Sequence, residues 1–242
     1  MLYIFLMEIT KYYSPNYAEK LRSGKSITMI IIHYTGMQSE RESLKRLTSV
    51  NSKVSAHYLI GRSGKIFNLV DVKYVAWHAG KSMWKKNKNL NKNSIGIELV
   101  NKGHKFGYQK FTKIQIKNLI SLCKKLKKKY KIKNNFILAH SDIAPIRKID
   151  PGEKFPWQYL SINGIGNYPK KIDIKKKNKY KKTQNNGLFF KNLYKIGYRY
   201  LNSKYKTKII KNFQRKYRQK KINGIIDFET LKLSQILSKS SN

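Results

Sequence analysis

Short apolar runs and longer amphipathic stretches alternate along the first 160 residues. Residues 27–33 form a β-branched run that ends at His33, bounded by Ser26 and a Thr35-Gly36 turn, and they read as a buried strand. Ser39 with Glu42 three residues on has the spacing of a capping box and opens a helix reaching about Thr48. Residues 56–60 and 65–70 read as two strands split by Gly61-Arg62-Ser63-Gly64, the form of a hairpin. Residues 94–100 predict a further strand, rich in Ile and Val and broken only by Gly96 and Glu98. Thr112 caps a long helix to about Tyr130, with Ile114, Ile116, Leu119, Ile120, Cys123 and Leu126 on one side and lysines on the other. Residues 136–140 predict a short strand, and a helical turn starts at Trp157. The alternation predicts a mixed α/β fold, a central mixed β-sheet flanked by helices.

The pattern changes near residue 170. Residues 170–187 are rich in Lys and Asn with few large apolar side chains, and they read as a linker. Residues 188–201, 207–219 and 228–237 each have helical spacing, separated by 202–206 and by Asn223-Gly224. The expected organisation is therefore a main domain over 1–169, a linker over 170–187 and a small C-terminal three-helix domain over 188–242. A segment of that size folds alone only marginally. The linker composition predicts few contacts between the halves and independent folding of each.

Composition narrows the function classes. The 242 residues are 40% hydrophobic and 12% aromatic, which excludes a disordered polycation despite a formal charge of +41 from 53 Lys+Arg and 12 Asp+Glu. The charge has two readings: lysines spread over solvated faces of a chain that is also rich in Asn, Ile and Tyr, or attraction to a polyanion. The lysine runs at 124–129 and 175–177 form no known nucleic-acid motif, so no specific nucleic-acid partner is expected. No apolar run approaches the roughly 20 residues of a membrane-spanning helix, and none is expected. The apolar opening at 1–6 is shorter than a signal-peptide core and lacks a basic start. A cytoplasmic location is the expectation on that ground. The single cysteine, Cys123, lies on the apolar helix face and reads as a core residue, and it excludes a multi-thiolate zinc site. Any metal would be held by histidine and carboxylate.

Acids are scarce, so those near histidines or inside apolar runs carry information. Of the five histidines, His33 and His140 each close a predicted strand, where a side chain points into a cleft. Asp150 follows His140 by ten residues in Lys148-Ile149-Asp150-Pro151-Gly152. Two imidazoles and a carboxylate are the protein ligands of a catalytic zinc site whose fourth position is left to water. Glu98 sits between Ile97 and Leu99, where an ionised carboxylate is costly unless paired. It reads as a general base beside that site, as one half of an inward salt bridge, or as a side chain on the solvated face of an edge strand. Lys148, two before Asp150, falls on the same side of an extended segment. It is placed to meet a developing oxyanion, or it is one more solvated lysine.

These residues resemble the type 2 N-acetylmuramoyl-L-alanine amidases, zinc enzymes of the AmpD/AmiD kind. The resemblance rests on Ile31-Ile32-His33-Tyr34-Thr35, Ser55-Ala56-His57-Tyr58, Ala76-Trp77-His78-Ala79-Gly80, Ser94-Ile95-Gly96-Ile97-Glu98 and Ala139-His140-Ser141-Asp142, closed by Lys148-Ile149-Asp150-Pro151-Gly152. It spans about residues 9–168 with every motif in order. It implies one zinc ion per chain held by His33, His140 and Asp150, with Glu98 as catalytic acid/base and Lys148 assisting. It also implies that His57, His78 and Trp77 line the substrate groove. Asp150 as third ligand and Ala56 in place of a tyrosine point to the AmpD/AmiD branch. In the tail, Ile209-Ile210-Lys211-Asn212-Phe213-Gln214 followed by Ile222-Asn223-Gly224-Ile225-Ile226-Asp227 and Thr230 looks like a peptidoglycan-binding three-helix domain. The expected substrate is peptidoglycan or its muropeptides, the expected state a monomer, and a wall-binding tail makes the periplasm the alternative location. Two rivals stand beside this: a non-catalytic peptidoglycan recognition protein of the same fold, and a basic nucleic-acid-binding protein.

Overall fold

The computed structural model describes residues 8–169 and 182–240; the apolar opening at 1–6 and residues 170–181 of the expected linker lie outside the described residues. In chain order the elements are β1 (Ile9–Lys11), β2 (Tyr17–Ala18), β3 (Met29–Tyr34), α1 (Glu40–Thr48), β4 (Tyr58–Ile60), β5 (Ile66–Asn68), β6 (Val75–Ala76), β7 (Met83–Trp84), β8 (Asn87–Lys88) and β9 (Ser94–Leu99). They continue with α2 (Lys113–Tyr130), β10 (Ile137–Ala139), α3 (His140–Ile143), α4 (Trp157–Ile162), α5 (Lys182–Ile196), α6 (Lys206–Tyr217) and α7 (Phe228–Lys239). The main sheet runs β1-β5-β4-β9-β3-β10. Its pairs are parallel except for the β4–β5 hairpin, so the sheet is mixed as expected. β2 pairs with β6, and β7 with β8, in two small antiparallel ribbons.

Strand β3 is buried along Met29–His33, which explains its unbroken apolar run: both of its faces are covered. Ile30 and Ile32 belong to an apolar cluster with Ile95, Ile97 and Leu99 of β9 and Ile116, Leu119, Cys123 and Leu126 of α2. Helix α2 fits that face because its apolar side repeats with helical period. Thr112 caps it by accepting from the Gln115 N–H, and its last turn carries Lys127, Lys128 and Lys129 against the helix C-terminus.

Met29 and Ile31 point to the opposite face. With Leu138 they share a cluster with Phe189 and Leu193 of α5, Ile209 and Phe213 of α6, and Leu233 and Leu237 of α7. Helix α5 starts at Lys182, inside the stretch expected to be linker. The three helices thus cover the second face of the sheet. Polar contacts reinforce the packing: the Tyr198 hydroxyl donates to Asp142 Oδ1 at 2.5 Å, and Gln219 Nε2 donates to the Phe155 carbonyl at 2.6 Å. Lys216 Nζ pairs with Asp142 Oδ2 at 2.5 Å, both side chains at most 3% exposed, and sits 4.2 Å from the Trp157 ring centre. The expectation of few contacts between the halves is therefore corrected. A polar connecting segment says nothing about apolar faces that lie elsewhere in the chain, and Met29 and Ile31 need a cover.

Within the tail, the Phe213-Gln214 and Asn223-Gly224 pairs have a structural role. Gln214 donates to the Ile225 carbonyl at 2.9 Å and accepts from the Gly224 N–H at 2.8 Å, closing the turn before α7. Asp227 caps α7 by accepting from the Thr230 N–H. No described helix is long and apolar enough to cross a membrane.

Candidate active site

Strands β10, β3 and β9 run parallel, and their carboxyl ends meet at one edge of the sheet, where open α/β sheets place ligand sites. The register sets His33 directly beside Glu98, and Ala139 beside Ile32, so that His140 emerges next to His33. The loop after α3 returns Asp150 to the same point, anchored by the Ser141 N–H donating to the Asp150 carbonyl at 3.1 Å.

His33, His140 and Asp150 converge and are all buried. The distances are 2.9 Å between the two Nδ1 atoms, 3.2 Å from His33 Nδ1 to Asp150 Oδ2, and 3.0 Å from His140 Nδ1 to that same oxygen. Ligand bonds of about 2.0–2.2 Å in a tetrahedron put ligand atoms roughly 3.3 Å apart, close to this triangle.

The surrounding hydrogen bonds fix which nitrogens carry protons. The Ser94 hydroxyl donates its one hydrogen to the Leu90 carbonyl at 2.5 Å, so at 3.2 Å it accepts from His78 Nε2–H. His78 Nδ1 is then an acceptor and receives His33 Nε2–H at 3.0 Å. His140 Nε2–H donates to the Ala79 carbonyl at 3.2 Å. Both Nδ1 lone pairs are left facing each other and a carboxylate. That arrangement is repulsive unless a cation or proton sits between them, and the donor set fits a divalent metal.

Burial, then the neighbouring His140, lowers the His33 pKa to about 4; burial and the imidazoles of His33 and His57 hold His78 well below its ordinary value. Both rings are thereby kept neutral, the form a metal ligand and its orienting partner require. Burial pushes the Asp150 pKa up, but the adjoining His140 and His33 outweigh it and hold the carboxyl well below the usual range.

A cavity of about 350 Å³ opens over the triad, walled by Trp77, His78, Glu98, His140, Lys148 and Asp150, with Tyr34, Arg46 and Arg147 at its sides. Glu98 Oε2 is shielded from solvent and has no hydrogen-bond partner among the described residues. Among the described residues Glu98 makes no salt bridge, and β9 lies inside the sheet between β4 and β3 rather than at its edge. Burial and the nearby Asp150 raise the Glu98 pKa to about 8, against the opposing pull of Lys148. Trp77 is half-buried and faces the cavity rather than the core, its backbone held by the Ser55 hydroxyl at 2.9 Å.

His57 corrects an expectation. It is 0% exposed and does not line the cavity. Its Nδ1 accepts from the Gly96 N–H at 3.0 Å, and its Nε2 lies 3.2 Å from the Tyr74 carbonyl and 2.8 Å from Arg22 Nη2. Burial and the Arg22 guanidinium 2.8 Å away lower its pKa to about 3. A side chain locked on both nitrogens beneath a strand has nothing left for a substrate. His78 reaches the cavity wall, but both its nitrogens are committed to His33 and Ser94, so it orients the His33 ring. Gly96 makes room for it: a Cβ there would come within 2.3 Å of the His78 ring.

Several site residues carry no signal in the sequence pattern. Asn91 Oδ1 accepts the backbone N–H groups of His78 and Ala79 at 3.1 and 2.7 Å. Arg147 donates to the Ala79 and Lys81 carbonyls and so holds the loop behind His140. Arg22 donates to the carbonyls of Val72, Asn91 and Ser94. Single polar residues in loops look alike until the chain folds.

With this geometry established, known proteins supply a context. Residues 23–153 match the family described as N-acetylmuramoyl-L-alanine amidase. The N-acetylmuramoyl-L-alanine amidase AmiD of Escherichia coli (strain K12) is 43% identical over 155 residues, covering 59% of this chain and 55% of AmiD. The chain thus spans little more than half the length of that relative. The 1,6-anhydro-N-acetylmuramyl-L-alanine amidase AmpD of Haemophilus influenzae is 34% identical over 167 residues, 61% of this chain and 88% of AmpD. A solved complex of E. coli AmiD with the substrate anhydro-N-acetylmuramic acid-L-Ala-D-gamma-Glu-L-Lys superposes with a TM-score of 0.79 at 32% identity, covering 92% of each chain.

Proposed function

The chain belongs to the N-acetylmuramoyl-L-alanine amidase family, and on that premise we propose that it is a zinc-dependent amidase cleaving the bond between the lactyl group of N-acetylmuramic acid and L-alanine in muropeptides or peptidoglycan. The observation that carries the reading is the pair of facing Nδ1 lone pairs of His33 and His140 with Asp150, set beside a partnerless Glu98. His33, His140 and Asp150 would hold zinc, which supplies Lewis acidity toward the amide carbonyl and water.

The chain's own residues do the rest. Glu98 takes a proton from the attacking water and delivers one to the departing L-alanine amine. Its raised pKa suits both halves of that exchange near neutrality. Lys148 presents an ammonium to the oxyanion that forms at the carbonyl carbon. Trp77 offers a flat wall to a sugar ring or stem peptide. The tail's resemblance to peptidoglycan-binding domains supports a second contact with the polymer over 188–242. A recognition protein without catalysis would not need the partnerless base beside an intact triad.

The test is incubation of zinc-loaded protein with purified sacculi and with soluble muropeptides, products being identified by mass. Release of free stem peptide is expected. Glu98→Gln should keep zinc and lose about 10²–10⁴-fold in turnover. Wild-type rates in that variant, or no cleavage by the zinc-loaded wild type, would refute the reading.

A further inference from the structure

We propose that Asn212, on helix α6 of the C-terminal domain, is a positioning residue for Lys148, so that the tail sets where the ammonium stands in the cavity. This rests on the amidase reading of the site. Residues 144–150 form the loop between α3, which carries His140, and Asp150. Within it the N–H groups of Arg147 and Lys148 both donate to the Ala144 carbonyl, at 3.1 and 3.0 Å. From outside the loop Asn212 Nδ2 donates to the Pro145 and Lys148 carbonyls, each at 2.8 Å. Both amide hydrogens are used, and they straddle the turn. Arg215 Nη1 donates to Asn212 Oδ1 at 2.9 Å, which fixes the orientation of the amide.

Asn212 is 3% exposed on a helix whose other core-facing positions include Ile209 and Phe213. A buried amide at such a place is costly unless every polar group is bonded, and here each one is. The two members of the loop differ in how they are held. Asp150 has independent anchors: its carbonyl accepts from Ser141 N–H, and its carboxylate meets both histidines. The Lys148 side chain faces the cavity and makes no ion pair among the described residues, so its backbone sets its position. That backbone is tied at two points, Ala144 and Asn212. A displacement of about 1 Å in a group that meets the transition state costs as much as 10²-fold in rate.

The experiment is a double-mutant cycle on zinc-loaded full-length protein, with soluble muropeptide as substrate and with zinc content and thermal midpoint measured for each variant. Asn212→Ala should lose about tenfold in kcat with KM within about twofold and zinc unchanged, because the effect falls on the transition state. In a Lys148→Ala background the same change should cost less than about twofold, since its only route to the chemistry is gone. Phe213→Leu, which loosens the same interface without touching the loop, should leave kcat unchanged. If Asn212→Ala does not fold, Asn212→Gln takes its place: the longer amide keeps the site filled and shifts the loop, and its smaller loss should vanish with Lys148 removed. Equal losses with and without Lys148, or a loss in Phe213→Leu matching that of Asn212→Ala, would overturn the proposal. An inactive wild type would instead overturn the amidase reading, whereas an active wild type with unimpaired Asn212 variants would overturn this inference alone.

Discussion

The two faces of the central sheet are closed by different parts of the chain. On one face Ile30, Ile32, Ile95 and Ile97 pack under α2, the next helix after β9 in the chain. On the other, Met29, Ile31 and Leu138 pack under α5, α6 and α7, which lie beyond residue 181. The second face is also the one whose upper end carries His33 and Glu98. The local face is apolar around a buried thiol, Cys123, whose pKa burial pushes up to about 12, with one buried amide, Gln115, donating to the Ile60 and Val100 carbonyls. The remote face mixes apolar packing with a buried Asp142–Lys216 pair. The contrast teaches that the side of the sheet carrying the candidate site depends on its most distant sequence, while the other side does not.

The strongest way to break that comparison is to remove the tail. A fragment of residues 1–169 should lose its cooperative thermal transition or aggregate, because Met29, Ile31 and Leu138 would face water. A fragment melting within a few degrees of the full chain, followed by circular dichroism, would show the tail to be dispensable. Next come matched truncations on the two faces. Phe213→Ala and Leu119→Ala should each cost about 3–5 kcal/mol in denaturant unfolding, both through one transition. A separate early transition in Phe213→Ala would mean that the tail unfolds by itself. Among the described residues Lys216→Met leaves the buried Asp142 carboxylate with the Tyr198 hydroxyl and Ala139 N–H as donors, and should cost about 3 kcal/mol. An unchanged midpoint there would show that the pair adds nothing to the remote face.

The smallest effect is on acid sensitivity. Burial lowers His33 to about 4 and His57 to about 3 from an ordinary value of 6.5, so the folded protein favours the neutral rings. The unfolded chain binds more protons below 6.5. Stability from these groups is fully present above about pH 6.5 and is lost as pH falls toward 4 and 3. In metal-free protein His57→Gln should flatten the fall in thermal midpoint between pH 7 and 5 by a few degrees. An unchanged slope would remove His57 from the account.

Much of this was legible in the sequence, for identifiable reasons. The period of α2, its Thr112 cap and the β-branched run of β3 are local signals, and the elements lie where they predict. His33, His140, Asp150 and Glu98 stood out because strand ends and isolated acids are visible in one dimension. The two-residue strands β2, β6, β7 and β8 have too few positions to show a period. His57 reads as a groove residue because a histidine in a loop carries no mark of what lies above it, whereas His78 does reach the cavity wall. The covering of β3 was half legible: an unbroken apolar strand demands two covers, but the pattern does not say that the second comes from beyond residue 181.

The shared use of Asp142 bears on how such proteins can be rearranged. One carboxylate accepts from the backbone before His140 and from two side chains of the tail, Tyr198 and Lys216. A chimera cut at the polar segment near residue 170 and given a foreign wall-targeting module would sever that junction. A working graft must carry the underside of the sheet along with the new module, so the seam for exchanging parts runs through Met29, Ile31, Leu138 and Asp142 and not between beads on a string.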